Sequence, residues 1–139
     1  LPTDRESLVW LDVKAIPAVT DGEKKVKTKI MVAVLTRIKL FYRPENLPGH
    51  AEDAISNLSW KRTGSNSVTV TNDSPYYVVM NKLSINKEDV KVSIDDNNTV
   101  VAPHGQKTYQ VKSAPAGSKV TWSAINEYSV VSADKTATL

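Results

Sequence analysis

The chain has no cysteine, one phenylalanine, two methionines and two histidines in 139 residues. Without cysteine there is no disulfide, no thiolate nucleophile and no thiolate metal site. His50 and His104 stand far apart, and neither has a second histidine at helix or strand spacing, so no metal pair is written here. Asp95 and Asp96 in "DDNN" lack the alternating ligands and closing Glu of a helical calcium loop and read as a turn. No serine sits in a GxSxG elbow, and the carboxylates are scattered through turns, which argues against an enzyme and against any cofactor. No apolar run approaches the ~20 residues of a membrane-spanning helix, so the chain is not expected to be membrane-embedded. The start "LPTDRES" shows no signal-peptide pattern, so a leader is expected to have been removed or never to have belonged to this chain.

Charge is also sparse in pattern. The net charge of +3 is diffuse, and only "EKKVKTK", Glu23 to Lys29, concentrates it. No aromatic residues interleave with those lysines as stacking platforms would, so no nucleic-acid partner is expected. A lysine-rich hairpin tip is the simpler reading.

What the sequence does have is short runs rich in Val, Thr and Tyr, punctuated by Gly, Pro, Asn and Asp. No window keeps a helical apolar period for three turns, so the fold class is all-β. "ESLVWLDVKAIP" and "KIMVAVLTRIKLFYRP" pair as a long β-hairpin across "TDGEKKVKT" with its Asp-Gly turn. "ENLPGHAEDA", residues 45–54, reads as a linker. From about Ile55 seven strands are predicted: Ser56–Arg62, Val68–Asn72, Tyr77–Ile85, Val90–Ile94, Thr108–Lys112, Lys119–Asn126 and Tyr128–Leu139. Seven short strands with intervening turns predict an immunoglobulin-like β-sandwich over 55–139, with Trp60 and Trp122 at least partly buried.

The stretch Ile30 to Pro44 is apolar on both strand faces. Ile30, Val32, Val34, Thr36, Ile38 and Leu40 share one face, and Met31, Ala33, Leu35, Arg37, Lys39 and Phe41 the other. Pattern alone leaves two readings open: these residues fill the chain's own core, or one face is covered by a second chain.

"LPTDRESLVWLDVKAIPA" and "TRIKLFYRP" resemble the periplasmic chaperones that assemble pili and fimbriae, the PapD-like family of the chaperone/usher pathway. "NDSPYYVVM" is similar to that family's Asn, turn and paired tyrosines, and "INEYS" to its "INDYG". One departure is Asp12, where the family usually has Asn. The resemblance implies that residues 1–44 are the last two strands of an incomplete first immunoglobulin-like domain, followed by the linker and a complete second domain at 55–139.

It also implies a non-enzymatic periplasmic chaperone that stabilises pilus or fimbrial subunits by donor-strand complementation and delivers them to an outer-membrane usher. Ile30, Val32, Val34, Thr36 and Ile38 become the subunit-binding donor strand. Lys39 becomes the anchor of the subunit's C-terminal carboxylate, and Glu6, Arg43 and Glu127 an interdomain ion-pair cluster. The short connector and lack of cysteine go with the branch of the family serving rod-like pili. On this reading the chain is a fragment, impaired as a chaperone and prone to self-associate through the 1–44 hairpin. The alternative is a structural or adhesive β-sandwich subunit of a cell-surface assembly. Such a subunit has no use for "RIKLFYRP" with "DRES".

Overall fold

The computed structural model describes residues 1–16 and 33–139. The lysine-rich connector, its Asp-Gly turn and the donor-strand residues Ile30 and Val32 lie outside the described residues. Two compact units are present: Leu1–Glu6 with Arg43–Leu139, and Ser7–Tyr42.

The smaller unit is an antiparallel pair, β1 (Ser7–Ala15) and β2 (Val34–Tyr42). Its register places Trp10 opposite Lys39 and Asp12 opposite Arg37. Because cross-strand partners share a face, one face of the pair is Val9, Leu11, Val13, Val34, Thr36, Ile38 and Leu40, nearly all apolar. The other mixes Leu8, Trp10, Asp12 and Lys14 with Leu35, Arg37, Lys39 and Phe41.

The larger unit is a β-sandwich preceded by a short helix. A three-stranded sheet runs β3 (Ser59–Gly64), β4 (Ser67–Asn72), β8 (Gly105–Gln110). Its partner runs β10 (Lys135–Thr138), β9 (Lys119–Ile125), β5 (Val78–Ile85), β6 (Glu88–Val90), with β7 (Val100–Val101) also on β5. The core lies between them, built from Val68 and Val70, Val78, Met80, Leu83 and Ile85, Val101, Tyr109, Val120, Trp122 and Ala124. Trp122 is buried and Trp60 half-buried, with their rings 5.3 Å apart, as expected from the need of a small sandwich for large side chains. The chain is therefore all-β, with an immunoglobulin-like sandwich.

Local chemistry explains where the strands differ from the sequence-based expectation. In β5 the buried positions switch from Val78 and Met80 to Leu83 and Ile85, because a register irregularity between Met80 and Lys82 inserts one residue against β9. Asn86 and Lys87 both take positive φ, making the two-residue turn that joins β5 to β6. The strand predicted at Val90–Ile94 ends at Val90. Beyond it the Asn98 side chain accepts from the Ser93 N–H and donates to the Lys91 carbonyl, which holds a turn instead. Likewise the long final strand is split. Asn126 Oδ1 accepts from the N–H groups of Tyr128 and Val130, so regular pairing resumes only at Lys135.

The stretch read as a linker contains helix α1 (Ala51–Ser56), whose first turn carries Glu52 and Asp53 and whose Ala54 and Ile55 are buried. Acidic residues suit a helix start. The helix is tied down where Trp122 Nε1–H donates to the Ile55 carbonyl at 2.9 Å. Among the described residues no helix is long and apolar enough to cross a membrane.

Candidate functional site

Two constellations gather the residues singled out from the sequence, one in each unit. In the larger unit Glu6 is 5% exposed, an unusual place for a carboxylate unless it is paired. Its backbone N–H donates to the Pro75 carbonyl at 2.8 Å. Its side chain accepts from Arg43 Nε at 3.0 Å on one oxygen and from the Tyr77 N–H at 3.3 Å on the other. Arg43 then reaches Glu127 through Nη1 at 3.1 Å. The guanidinium lies 5.3 Å from the Tyr76 ring centroid.

Two acids thus surround Arg43, and each carboxylate takes one guanidinium nitrogen. Burial draws the Arg43 guanidinium down, yet the hydrogen bond and charge of Glu6, then Glu127 and Tyr76, hold it above its ordinary range. It remains a fixed cation.

The neighbouring "NDSPYY" stretch supplies the frame for this cluster. Asn72 is buried and donates through Nδ2 to the carbonyls of Tyr76 (2.6 Å) and Val101 (3.3 Å), while its Oδ1 accepts from Ser74. A buried amide with all its partners fixes a turn tightly. That turn presents the Pro75 carbonyl and Tyr77 N–H to Glu6, and the Tyr76 hydroxyl donates to the Gly49 carbonyl at 2.9 Å.

In the smaller unit, Val34, Thr36 and Ile38 stand on the apolar face of β2, all exposed. Lys39 lies on the opposite face and is the half-buried residue of its strand. No carboxylate of the described residues pairs with it. Its ammonium lies 5.6 Å from the centroid of Trp10, while Arg37 lies 4.7 Å from the same ring and pairs with Asp12 at 3.2 Å. A cation held near an indole is attracted to its π face. Sequence reasoning missed Trp10 as a neighbour of Lys39. The signal is the hairpin register, which cannot be counted across a connector of unspecified geometry.

Residues 53–134 match the pili assembly chaperone PapD, C-terminal domain, and residues 1–48 match the pili and flagellar-assembly chaperone, PapD N-terminal domain. The chaperone protein FimC of Escherichia coli K12 is 35% identical over 139 residues, which is all of this chain and 54% of FimC. The crystal structure of the E. coli chaperone DraB superposes with a TM-score of 0.78 at 32% identity, covering the whole chain and 62% of that chain. The Salmonella enterica complex of SafA pilin with the SafB chaperone gives a TM-score of 0.77 at 26% identity, again covering all of this chain and 62% of the other. The chain spans about half the length of the curated relatives it matches. With matches that together take in most of its residues, the chain belongs to the PapD family of pili assembly chaperones.

Proposed function

We propose that the chain is part of a non-enzymatic periplasmic chaperone that binds pilus or fimbrial subunits by donating strand β2, and that passes them to an outer-membrane usher. Residues 1–44 are then the hairpin of its first immunoglobulin-like domain, 45–54 the connection, and 55–139 the second domain. The observation that carries the reading is β2 itself. Alternate apolar side chains lead to a half-buried ammonium, and among the described residues that ammonium has no carboxylate partner and β2 has one strand neighbour, β1.

An added strand gains about 0.5–1.5 kcal/mol net per backbone hydrogen bond, largely without regard to sequence. Burying a Val or Ile side chain adds about 1.5–3 kcal/mol. Val34 and Ile38, together with Ile30 and Val32 beyond the described residues, are therefore the part of the donor strand that selects a subunit. Thr36 adds a smaller contact. Lys39 meets the subunit's terminal carboxylate in a charge-assisted bond. The relationship to a chaperone solved with its pilin supports binding of a pilus subunit.

The cluster of Glu6, Arg43 and Glu127 has an orienting role at the junction between the domains. Without a subunit, the apolar faces and open edges of the hairpin favour pairing between copies of the chain, since two-stranded sheets are marginal alone.

The test is capture of a pilus subunit diluted out of denaturant into solutions of the full-length chaperone that contains this chain. Wild type is expected to keep the subunit soluble and to co-purify with it, and Lys39→Ala to fail with its fold intact. Equal capture by Lys39→Ala defeats the anchor role. Light scattering across concentrations tests pairing, and a monomer at every concentration overturns it.

A further inference from the structure

Two cations on β2 face the same way, yet they are not equivalent. Arg37 and Lys39 stand two residues apart, about 7 Å along the strand, and both approach the ring of Trp10. Asp12, opposite Arg37, accepts its Nε at 3.2 Å. Among the described residues Lys39 has the indole and no carboxylate. The other cation on that face among the described residues, Lys14, belongs to β1 and stands opposite Leu35.

We propose that Asp12 sets the register of the strand that β2 binds. By neutralising Arg37 it leaves Lys39 as the anion anchor of β2, and Trp10 holds the Lys39 ammonium in place. This rests on the reading that β2 receives a strand ending in a carboxylate. Backbone pairing along β2 repeats every two residues, so hydrogen bonds alone tolerate a slip of that size, and apolar alternation tolerates it too. An unneutralised Arg37 would offer the carboxylate a second anchor at just that displacement. An Asn at position 12 has no charge to prevent it, whereas Asp12 does. Trp10 is a positioning residue that acts through Lys39.

The chain has no cysteine of its own, which makes cross-linking a clean readout. Thr36→Cys in the otherwise unchanged chain is equilibrated with short extended peptides of alternating Val and Thr that end in a free carboxylate and carry one cysteine at successive positions. One peptide position is expected to cross-link preferentially. Asp12→Asn is expected to raise the product displaced by two residues about two- to five-fold relative to the first, and Asp12→Glu to restore the original ratio. Adding Arg37→Gln to Asp12→Asn should abolish the displaced product. Trp10→Leu should reduce the preference for the free acid over the C-terminal amide about two- to five-fold, and Trp10→Phe should keep most of it. Unchanged ratios in Asp12→Asn, with the acid still preferred over the amide, overturn the role of Asp12 alone. Equal cross-linking of acid and amide by the wild-type chain overturns the carboxylate anchor and this proposal with it.

Discussion

Trp122 and Trp10 both lie within β-strands, yet the first is 2% exposed and the second 42%. Trp122 on β9 has a strand on each side, β5 and β10, a second sheet across the core, and a carbonyl for its indole N–H. Among the described residues, Trp10 on β1 has one strand neighbour, and two cations approach its ring. The difference generalises to the two units. In the sandwich the alternate residues of β4, Val68 and Val70, are wholly buried, whereas Val9, Leu11 and Val13 of β1 are exposed with the same alternation. A strand's apolar pattern states which face wants cover. Whether that cover comes from its own sheets or from another molecule depends on how many layers the chain itself supplies.

The largest expected effect breaks the comparison at its buried end. Trp122→Ala should destabilise the sandwich by about 3–5 kcal/mol, through lost burial and the cavity left behind. Denaturant unfolding measures it, with amide exchange in Ser7–Tyr42 followed in parallel. Hairpin exchange that accelerates to the same extent would show one cooperative unit where the contrast requires two.

Alkali should act next, through one buried phenol of the sandwich. Burial pushes the Tyr109 phenol from 10.0 up to about 12. Its folded-state value lies above the unfolded one, so its protonated form contributes stability that is full below pH 10 and is lost as pH rises toward 12. About 2–3 kcal/mol should disappear across that window. Stability measured against pH in wild type and Tyr109→Phe checks this: the variant should lose that part of the slope, and an identical slope in both assigns it to other groups.

A smaller effect separates the two acids on Arg43. Glu6→Ala removes a buried acceptor from two donors and should cost about 1–3 kcal/mol. Glu127, 45% exposed, should contribute about 0–1 kcal/mol. Equal losses on denaturation would mean that burial does not distinguish them. The smallest effect is at the exposed tryptophan. Trp10→Ala should change sandwich stability by less than about 1 kcal/mol, the scale of a cross-strand pair, while weakening retention of a carboxylate-ended peptide. A large fall in the sandwich's unfolding midpoint would remove the distinction between the two tryptophans.

Much of this was legible in advance, for physical reasons that differ from element to element. Alternation in "SVTVTN" specifies the inward residues of β4, and "SLVWLDVKA" and "VLTRIKLFY" specify a strand pair. The helix at Ala51–Ser56 was not legible. Six residues are too few for an apolar period, and the helix depends on packing of Ala54 and Ile55 and on the Trp122 bond. Strand β7 is only Val100–Val101, bounded by turns, and exists because β5 offers it an edge. The candidate residues Lys39, Glu6, Arg43 and Glu127 were named by resemblance rather than by composition. Their partners Trp10, Pro75 and Tyr77 emerged only from register and turn geometry.

By itself the sequence determined the β class, the absence of thiol chemistry, and the alternation that gives each strand an apolar face, because all three are properties of residue type and a two-residue period. Only the tertiary structure decided which carboxylate meets which cation. Asp12 takes Arg37 and leaves Lys39, and Glu6 takes Arg43 from 37 residues away, because such pairings depend on register and on turns closed by buried amides. A shift of one residue in the register of β2 would have carried Arg37 and Lys39 to the other face.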